Sequence, residues 1–485
     1  MTRESDGREK GGWETVIGLE VHTELQTATK LFCSCRNGFG DEPNTNVCPV
    51  CLGLPGSLPV LNRQAVEYAM RIGTALNCTI QASLFHRKNY FYPDQPKDYQ
   101  ISQYDIPINA DGWLVLPNAK RIGIVRAHIE EDTGKTTHVG GGGRIHEADH
   151  SLVDYNRAGV PLVEIVGAPD LHSAEDARAY VEELRGILVA SGASDGKMEE
   201  GSVRVDANVS VRPFGARELG TRCEIKNMNS LRSLGRAIDY EVARQVELLS
   251  GGATVDQETR HWNEADGRTH PMRSKEEAND YRYFPEPDLV PLDPSPEWRR
   301  AVAASLPPMP AQRRGRVAAA SGMATDADAV VTVVRLELDA FVTAAVSAGA
   351  DASLAVKRLA NEVASSAAGG VPLSPDAFVR LLQMETTGEL TTAQARTVLK
   401  ALLDEGGGGD PAVIAAREGF EAMGSSDLAA VVEEVIAANR AEWDRYAAGE
   451  DKLTGFFVGK IKASTAGKAD LKAASQILRA RRAGA

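Results

Sequence analysis

The sequence predicts an α+β fold, with a mostly antiparallel-sheet domain followed by an all-α helical domain and a small helical tail domain. From about residue 13 to 295, short alternating strand-like runs predominate, interrupted by two helical segments. After residue 311 the chain is rich in Ala, Leu and Val at helical spacing. Ten of the eleven tyrosines lie before residue 295, so the two parts are built differently. The change falls at a proline-rich stretch running from Pro291 to Pro310. A second break is Gly406 to Gly409 followed by Asp410 and Pro411, a run that no helix or strand interior tolerates. The expected division is therefore a disordered N-terminus at 1–12, then parts at 13–295, 296–408 and 409–485.

In the first part, SAEDARAYVEELRGILVA places Ser173 and Asp176 at capping spacing, with Ala177, Tyr180, Val181, Leu184 and Leu188 on one stripe. LRSLGRAIDYEVARQVELL repeats the pattern with Leu231, Leu234, Ile238 and Val242. Both should be surface helices packed on a sheet.

The sharpest local signal is Cys33-x-Cys35, twelve residues, then Cys48-x-x-Cys51. Four thiolates on two short turns make a closed tetrahedral set, the spacing of a structural zinc knuckle over 33–51. Four reduced thiols without metal are the alternative. The remaining cysteines, Cys78 and Cys223, sit in apolar contexts and read as core.

The strands carry the chemistry. In TVIGLEVHTEL the two-residue period puts Glu20, His22 and Glu24 on one face and Ile17, Leu19, Val21 on the other, so acid and imidazole are placed to share a cation. An exposed sheet face would show the same alternation. SVRVDANVSVRP sets Arg204, Asp206, Asn208, Ser210 and Arg212 on one face, a mixture suited to an anionic ligand. RIGIVRAHIEEDTGK adds Arg126, His128 and Glu130, with Glu131 and Asp132 at the strand's end. In VPLVEIVGAPD a nearly continuous apolar run is interrupted by Glu164, which must be paired, metal-bound or protonated. CEIKNMNS gives Glu224 and Lys226, followed by Asn227 and Asn229. Carboxylates suit Mg²⁺ and Arg or Lys suits phosphate, so the set looks like a Mg–nucleotide site on a sheet.

Familiar phosphate loops are missing. Gly134-Lys135-Thr136 lacks the glycine a P-loop needs at position 129, which is Ile129, and the Gly140 to Gly143 run reads as a turn. Neither HExxH nor G-x-S-x-G occurs. Two segments with interleaved tyrosines and basic residues, 86–105 and 272–289, suit loops that stack on a base or sugar, although tyrosines capping a sheet would look similar.

Charge sharpens the reading. With 54 Lys and Arg against 67 Asp and Glu, the net charge is −13, which argues against coating of nucleic acid. Residues 451–485, however, carry eight basic and two acidic groups, or +6, leaving −19 for the rest. The basic, Ala-rich end is a candidate nucleic-acid contact. No run reaches the roughly 18 apolar residues of a membrane span, and the charged start MTRESDGREKGG is unlike a signal peptide. A cytoplasmic location without membrane contact is expected.

Eight motifs in order, VIGLEVHTEL, RKNYFYPDQPKDYQISQ, HIEEDTGK, DYNRAGVPLVEIV, KMEEGSVRVDANVSVRP, EIKNMNS, DYRYFPEPDL and GFFVGKIKAS, together resemble the B subunit of the glutamyl/aspartyl-tRNA amidotransferases, the GatB/GatE family. The resemblance runs from about Trp13 to about residue 480. It implies a cradle domain, a helical domain and a tail domain. It also implies a heterotrimer with a glutaminase (amidase) A subunit and a small C subunit. The activity it implies is ATP- and Mg²⁺-dependent phosphorylation of the side-chain carboxyl of misacylated Asp-tRNA(Asn) and/or Glu-tRNA(Gln), followed by amidation with ammonia. Glu20, His22, Glu130, Glu131 and Glu164 match the family's acidic and imidazole cluster and are the magnesium candidates. Glu130, Asp206 and Lys226 are the catalytic candidates, with Arg204, Asn208, Glu224 and Asn227 lining an ATP or acyl pocket. Zinc is expected at Cys33, Cys35, Cys48 and Cys51. In the tail, Lys460, Lys462 and Lys468 are expected to meet tRNA, although GKADL at 467–471 departs from the family's GKANP. The alternative is a non-catalytic tRNA-binding scaffold holding zinc.

Overall fold

The computed structural model describes residues 12–140, 148–272, 281–365, 373–420, 425–465, 469 and 471–483. All but Gly12 of the expected disordered terminus, Gly141 to Gly143, most of 272–280 and Lys468 lie outside the described residues. The chain divides into two compact units, residues 1–311 and 312–485.

In the first unit the elements run β1 (Trp13–Glu24), α1 (Arg63–Ala75), β2 (Thr79–Ile80), β3 (His86–Asn89), β4 (Tyr99–Ser102), β5 (Asn109–Val115) and β6 (Arg121–Glu131). They continue β7 (Lys135–Val139), β8 (His150–Asp154), β9 (Pro161–Gly167), α2 (Ala174–Ala190), β10 (Val203–Pro213), β11 (Cys223–Lys226) and α3 (Leu231–Ser250). The last are β12 (Thr259–Asn263), β13 (Arg268–Pro271), β14 (Phe284–Pro285) and α4 (Pro296–Ser305). Twelve strands form one sheet in the order β13-β12-β11-β10-β1-β9-β6-β4-β3-β14, with β5 also on β6 and β2 on β5. Of the described pairings only β11 with β12 is parallel, so the expected α+β, mostly antiparallel architecture is observed.

Strand β1 is the spine. It pairs with β10 from Trp13↔Pro213 to Thr23↔Val203 and with β9 from Glu20↔Val166 to Glu24↔Leu162. Its odd residues Ile17, Leu19 and Val21 enter one apolar core with α1, α2 and α3, and its even residues face the other way. The two helices expected from the sequence form as α2 and α3, capped by Ser173 and Ser230, whose side chains accept from the N–H groups of Asp176 and Ser233. Acidic Glu175 and Asp176 in the first turn of α2 suit the helix dipole.

Helix α1 was not anticipated, although Asn62 caps it by accepting from Gln64 and Ala65 N–H. Helix α4 also packs within the first unit. Arg63 of α1 stacks over Trp298 at 4.5 Å, and Arg71 donates to Ser305 Oγ at 2.7 Å, so the boundary falls at 311/312 rather than 295/296.

The second unit begins in α5 (Pro310–Ser321) and continues α6 (Asp328–Arg335), α7 (Asp339–Ser347), α8 (Ala352–Arg358), α9 (Pro375–Thr387), α10 (Thr392–Asp404) and α11 (Pro411–Arg417) around one apolar cluster. Ile414 and Ala415 of α11 are buried in that cluster. The glycine run is therefore a turn inside the helical part, whose apolar cluster continues across the expected break at 408/409. Helices α12 (Ser425–Ala438), α13 (Arg440–Ala447), α14 (Leu453–Ser464) and α15 (Leu471–Ala483) form a second cluster around Trp443, Tyr446 and Phe457. No described helix is long and apolar enough to cross a membrane.

One close approach fixes α1 on the sheet. A side chain at Gly73 would overlap the amide of Asn109, a fully buried residue whose Nδ2 donates to Ala69 and Ala127 carbonyls at 3.0 Å each. Gly73→Ala must displace that amide, and the expected loss is about 2–4 kcal/mol. Urea denaturation of the purified chain checks this, and an unchanged midpoint contradicts it.

Candidate functional site

The even face of β1 and its neighbours is polar and lines a cleft of about 530 Å³, with His22, Lys88, Glu130, Arg204, Asp206 and Lys226 in its wall. Three side chains meet at its wall, two of them, His22 and Glu130, lining it. Register places His22 opposite Glu164 on β9, and Glu164 opposite His128 on β6. Ligand atoms of His22, Glu130 and Glu164 all lie within 4.8 Å of one another. His22 Nε2 stands 3.5 Å from Glu130 and 3.8 Å from Glu164, and His128 Nε2 is 3.1 Å from Glu164. Two carboxylates and an imidazole aimed at one point form a donor set for a divalent cation.

Electrostatics hold this cluster together. Burial opposes charge on both carboxylates, yet hydrogen bonds to His128 and the two nearby imidazoles keep Glu130 and Glu164 below the usual carboxylate range. Burial would lower His128, but Glu130 and Glu164 outweigh it and carry its pKa to about 9. A protonated His128 thus stands where a cation's charge is needed.

Glu20, also a magnesium candidate, shares the face but not the cluster. It accepts from Asn208 Nδ2 at 2.9 Å, and burial together with the charge of Glu164 raises its pKa. Glu131 is a correction. It lies on the opposite face from Glu130, where it pairs with Lys97 and accepts from Ile101 N–H at 2.8 Å. Strand alternation separates adjacent carboxylates, so only Glu130 of the two faces His22 and Glu164.

Along the cleft, Lys226 Nζ is 2.7 Å from both Asp206 and Glu224, and Glu224 also accepts from Thr259 Oγ1 at 2.9 Å. Two of the three ammonium donors are occupied, leaving a third for a ligand. Asn227, at φ 68°, borders the cleft and directs its amide to the Trp262 carbonyl at 3.3 Å. At the other end, buried Asp132 accepts from Arg157 Nη2 at 2.6 Å and from Arg204 Nη2 at 3.1 Å. Burial would raise the Asp132 pKa, but the two guanidiniums hold it down. Lys88 and Tyr90, from the aromatic and basic segment 86–105, also line the cleft, whereas sequence reasoning missed Arg157. Arg157 lies in a loop, where no period exposes a face.

The four cysteine sulfurs also converge within 4.8 Å, Cys48 and Cys51 standing 3.9 Å apart. Tetrahedral zinc with bonds of about 2.3 Å needs sulfurs roughly 3.8 Å apart, so the thiols fit the ion. Hydrogen bonds from Cys33 and Cys48, with the ammonium of Lys30, hold Cys51 down at about 5, while burial and neighbouring thiols push Cys35 up to about 11. Fully buried Lys30 donates to the Asn46 and Tyr155 carbonyls at 2.7 and 3.2 Å and reaches Cys51 Sγ at 3.7 Å. In the second unit, Lys460 and Lys462 are exposed on α14, with Lys460 Nζ 5.5 Å from the Phe456 ring.

Comparison with known proteins gives the family. Residues 15–300 match the GatB/GatE catalytic domain and residues 340–481 the GatB domain. The chain is 47% identical over 478 residues to the B subunit of the aspartyl/glutamyl-tRNA(Asn/Gln) amidotransferase of Thermoanaerobacter pseudethanolicus, covering 96% of this chain and 98% of that protein. It is 49% identical to the proteins of the same name from Nocardia farcinica, covering 94% of each, and Frankia casuarinae, covering 96% of this chain and 95% of that protein. With both domains matched and near-complete coverage at this identity, the chain belongs to the GatB/GatE family.

Proposed function

We propose that this chain is the B subunit of a tRNA-dependent amidotransferase that converts Asp-tRNA(Asn) and/or Glu-tRNA(Gln) to the amidated forms. The observation that carries the reading is the His22, Glu130 and Glu164 cluster, of which His22 and Glu130 line one cleft with Lys226 and Arg204. A scaffold that only bound tRNA would have no use for two ionised carboxylates buried beside imidazoles.

A carboxylate is a poor acyl donor until phosphorylated. In the proposed sequence an oxygen of the substrate's side-chain carboxylate attacks the γ-phosphorus of ATP, and the bond to ADP breaks. Ammonia then adds to the acyl carbon, phosphate leaves with the C–O electron pair, and the nitrogen loses a proton. Mg²⁺ held by His22, Glu130 and Glu164 would supply charge neutralisation for phosphate oxygens. The free N–H of Lys226 and the Arg204 guanidinium donate to the same oxygens, while Asp206 and Glu224 hold Lys226 in place. Asn208 keeps Glu20 oriented along the wall. An amidase A subunit would generate the ammonia from glutamine, a small C subunit would complete the heterotrimer, and Lys460 and Lys462 of the tail would contact the tRNA body.

Two expectations follow. In the reconstituted enzyme, Glu130→Ala and Lys226→Ala should each lower ATP-dependent amide formation at least about 1,000-fold, the scale of a lost electrostatic donor or ligand, while glutaminase activity stays measurable. Full transamidation by either variant rejects the site. Zn²⁺ at Cys33, Cys35, Cys48 and Cys51 should appear as one atom per purified chain by elemental analysis and be lost from Cys48→Ser. Well under one atom in the unmodified chain rejects zinc.

A further inference from the structure

A row of tyrosines beside the cleft has no part in the proposed phosphoryl transfer. Tyr104 and Tyr283 are stacked, with ring centroids 4.1 Å apart and planes at 12°. Tyr281 meets Tyr283 edge-on at 6.1 Å, and Lys88 Nζ stands 4.7 Å from the Tyr281 ring. His86, a buried side chain, braces Tyr104 at 6.3 Å and 77°.

These rings lie beside the reacting centre. Ser102 Oγ donates to Glu130 Oε2 at 3.3 Å, and Tyr104 is two residues further on, its Cα at most about 7 Å from that of Ser102. Lys88 belongs both to the ring row and to the cleft wall. A stack that merely closed the edge of the sheet would cover its outer ring, yet Tyr104 remains 55% exposed with one face already taken by Tyr283. A preformed, braced ring pair with an open outer ring, next to a site for phosphate chemistry, suits the flat face of a base. Both substrates of the proposed reaction carry adenine, in ATP and in the 3′-terminal adenosine that ends every tRNA.

We propose that the open face of Tyr104, backed by Tyr283, seats an adenine base of a substrate whose reacting end lies at the His22, Glu130 and Glu164 cluster. This rests on the amidotransferase reading. The ribose, with its attached acyl group or triphosphate, spans from the ring shelf to the cluster, and Lys88 lies along that path.

The test uses the reconstituted heterotrimer and two probes, misacylated tRNA ending in 2-aminopurine and 2-aminopurine riboside triphosphate, whose fluorescence is quenched by stacking. One probe should be quenched by the unmodified enzyme and released from quenching in Tyr104→Ala, and KM for the matching natural substrate should rise roughly 5- to 100-fold with kcat little changed. Tyr104→Phe should behave as the unmodified enzyme, and Tyr283→Ala as Tyr104→Ala. Quenching of the tRNA probe identifies the terminal adenosine as the occupant, and quenching of the triphosphate identifies ATP. If Tyr104→Ala and Tyr283→Ala change neither quenching nor KM, the proposal is wrong. An equal loss for both substrates, or a loss in Tyr104→Phe, would mean a structural role and would also overturn it. Quenching is read without turnover, so an enzyme that forms no amide would defeat the functional reading, whereas the shelf stands or falls on the quenching of the two probes.

Discussion

The pairing of β1 between β9 and β10 is the constraint on which the rest of the first unit depends. A strand side-chain period of two means that a slip of one residue would exchange Ile17, Leu19 and Val21 with Gly18, Glu20 and His22. Each buried aliphatic side chain contributes about 1.5–3 kcal/mol, and a buried unpaired carboxylate costs several more, so the register is strongly held. That register sets His22 against Glu164 and Glu20 against Asp206. The apolar half of the strand thereby determines where the chemical half stands.

Charge pairing alone does not identify a site. Glu241, fully buried, accepts from Arg244 at 2.6 Å, Gln245 at 2.9 Å and Thr269 at 2.9 Å, and ties α3 to the β12–β13 edge. That network is closed and does not line the cleft described here. The His22, Glu130 and Glu164 cluster differs because its ligand atoms converge on one point beside open space and its compensating charge comes from imidazole, which a cation can replace. Around it, Asp132 keeps Arg157 and Arg204 extended, and Asp206 with Glu224 does the same for Lys226. The cleft is thus assembled before a ligand arrives, which lowers the ordering cost of binding and catalysis.

Much of this was legible in the sequence because strand period and motif spacing are local properties. Glu20, His22, Asp206 and Asn208 fall on the predicted face because β1 and β10 keep an unbroken two-residue alternation. On β6 the alternation breaks. The register shifts between Ile124 and Arg126, so Ile122 and Ile124 share the core with Ala127 and Ile129 although their parity differs. Glu131 became a magnesium candidate through the family resemblance and not through the strand period, and its side chain turns to the other face, toward Lys97. The four cysteines were readable from spacing, but the contribution of Lys30 was not, since a lysine between Thr29 and Leu31 gives no sign that its ammonium will be buried. The glycine run at 406–409 looked like a domain boundary because a breaker marks the end of a helix, whereas the end of a core is decided by later residues such as Ile414.

The central claim is that the cleft activates a substrate carboxylate by phosphoryl transfer. Its most direct test is oxygen transfer. Misacylated tRNA carrying ¹⁸O in the side-chain carboxylate, turned over once by the reconstituted enzyme with ATP and glutamine, should deliver one ¹⁸O into inorganic phosphate for each amide formed. Amide formation accompanied by unlabelled phosphate would contradict the account.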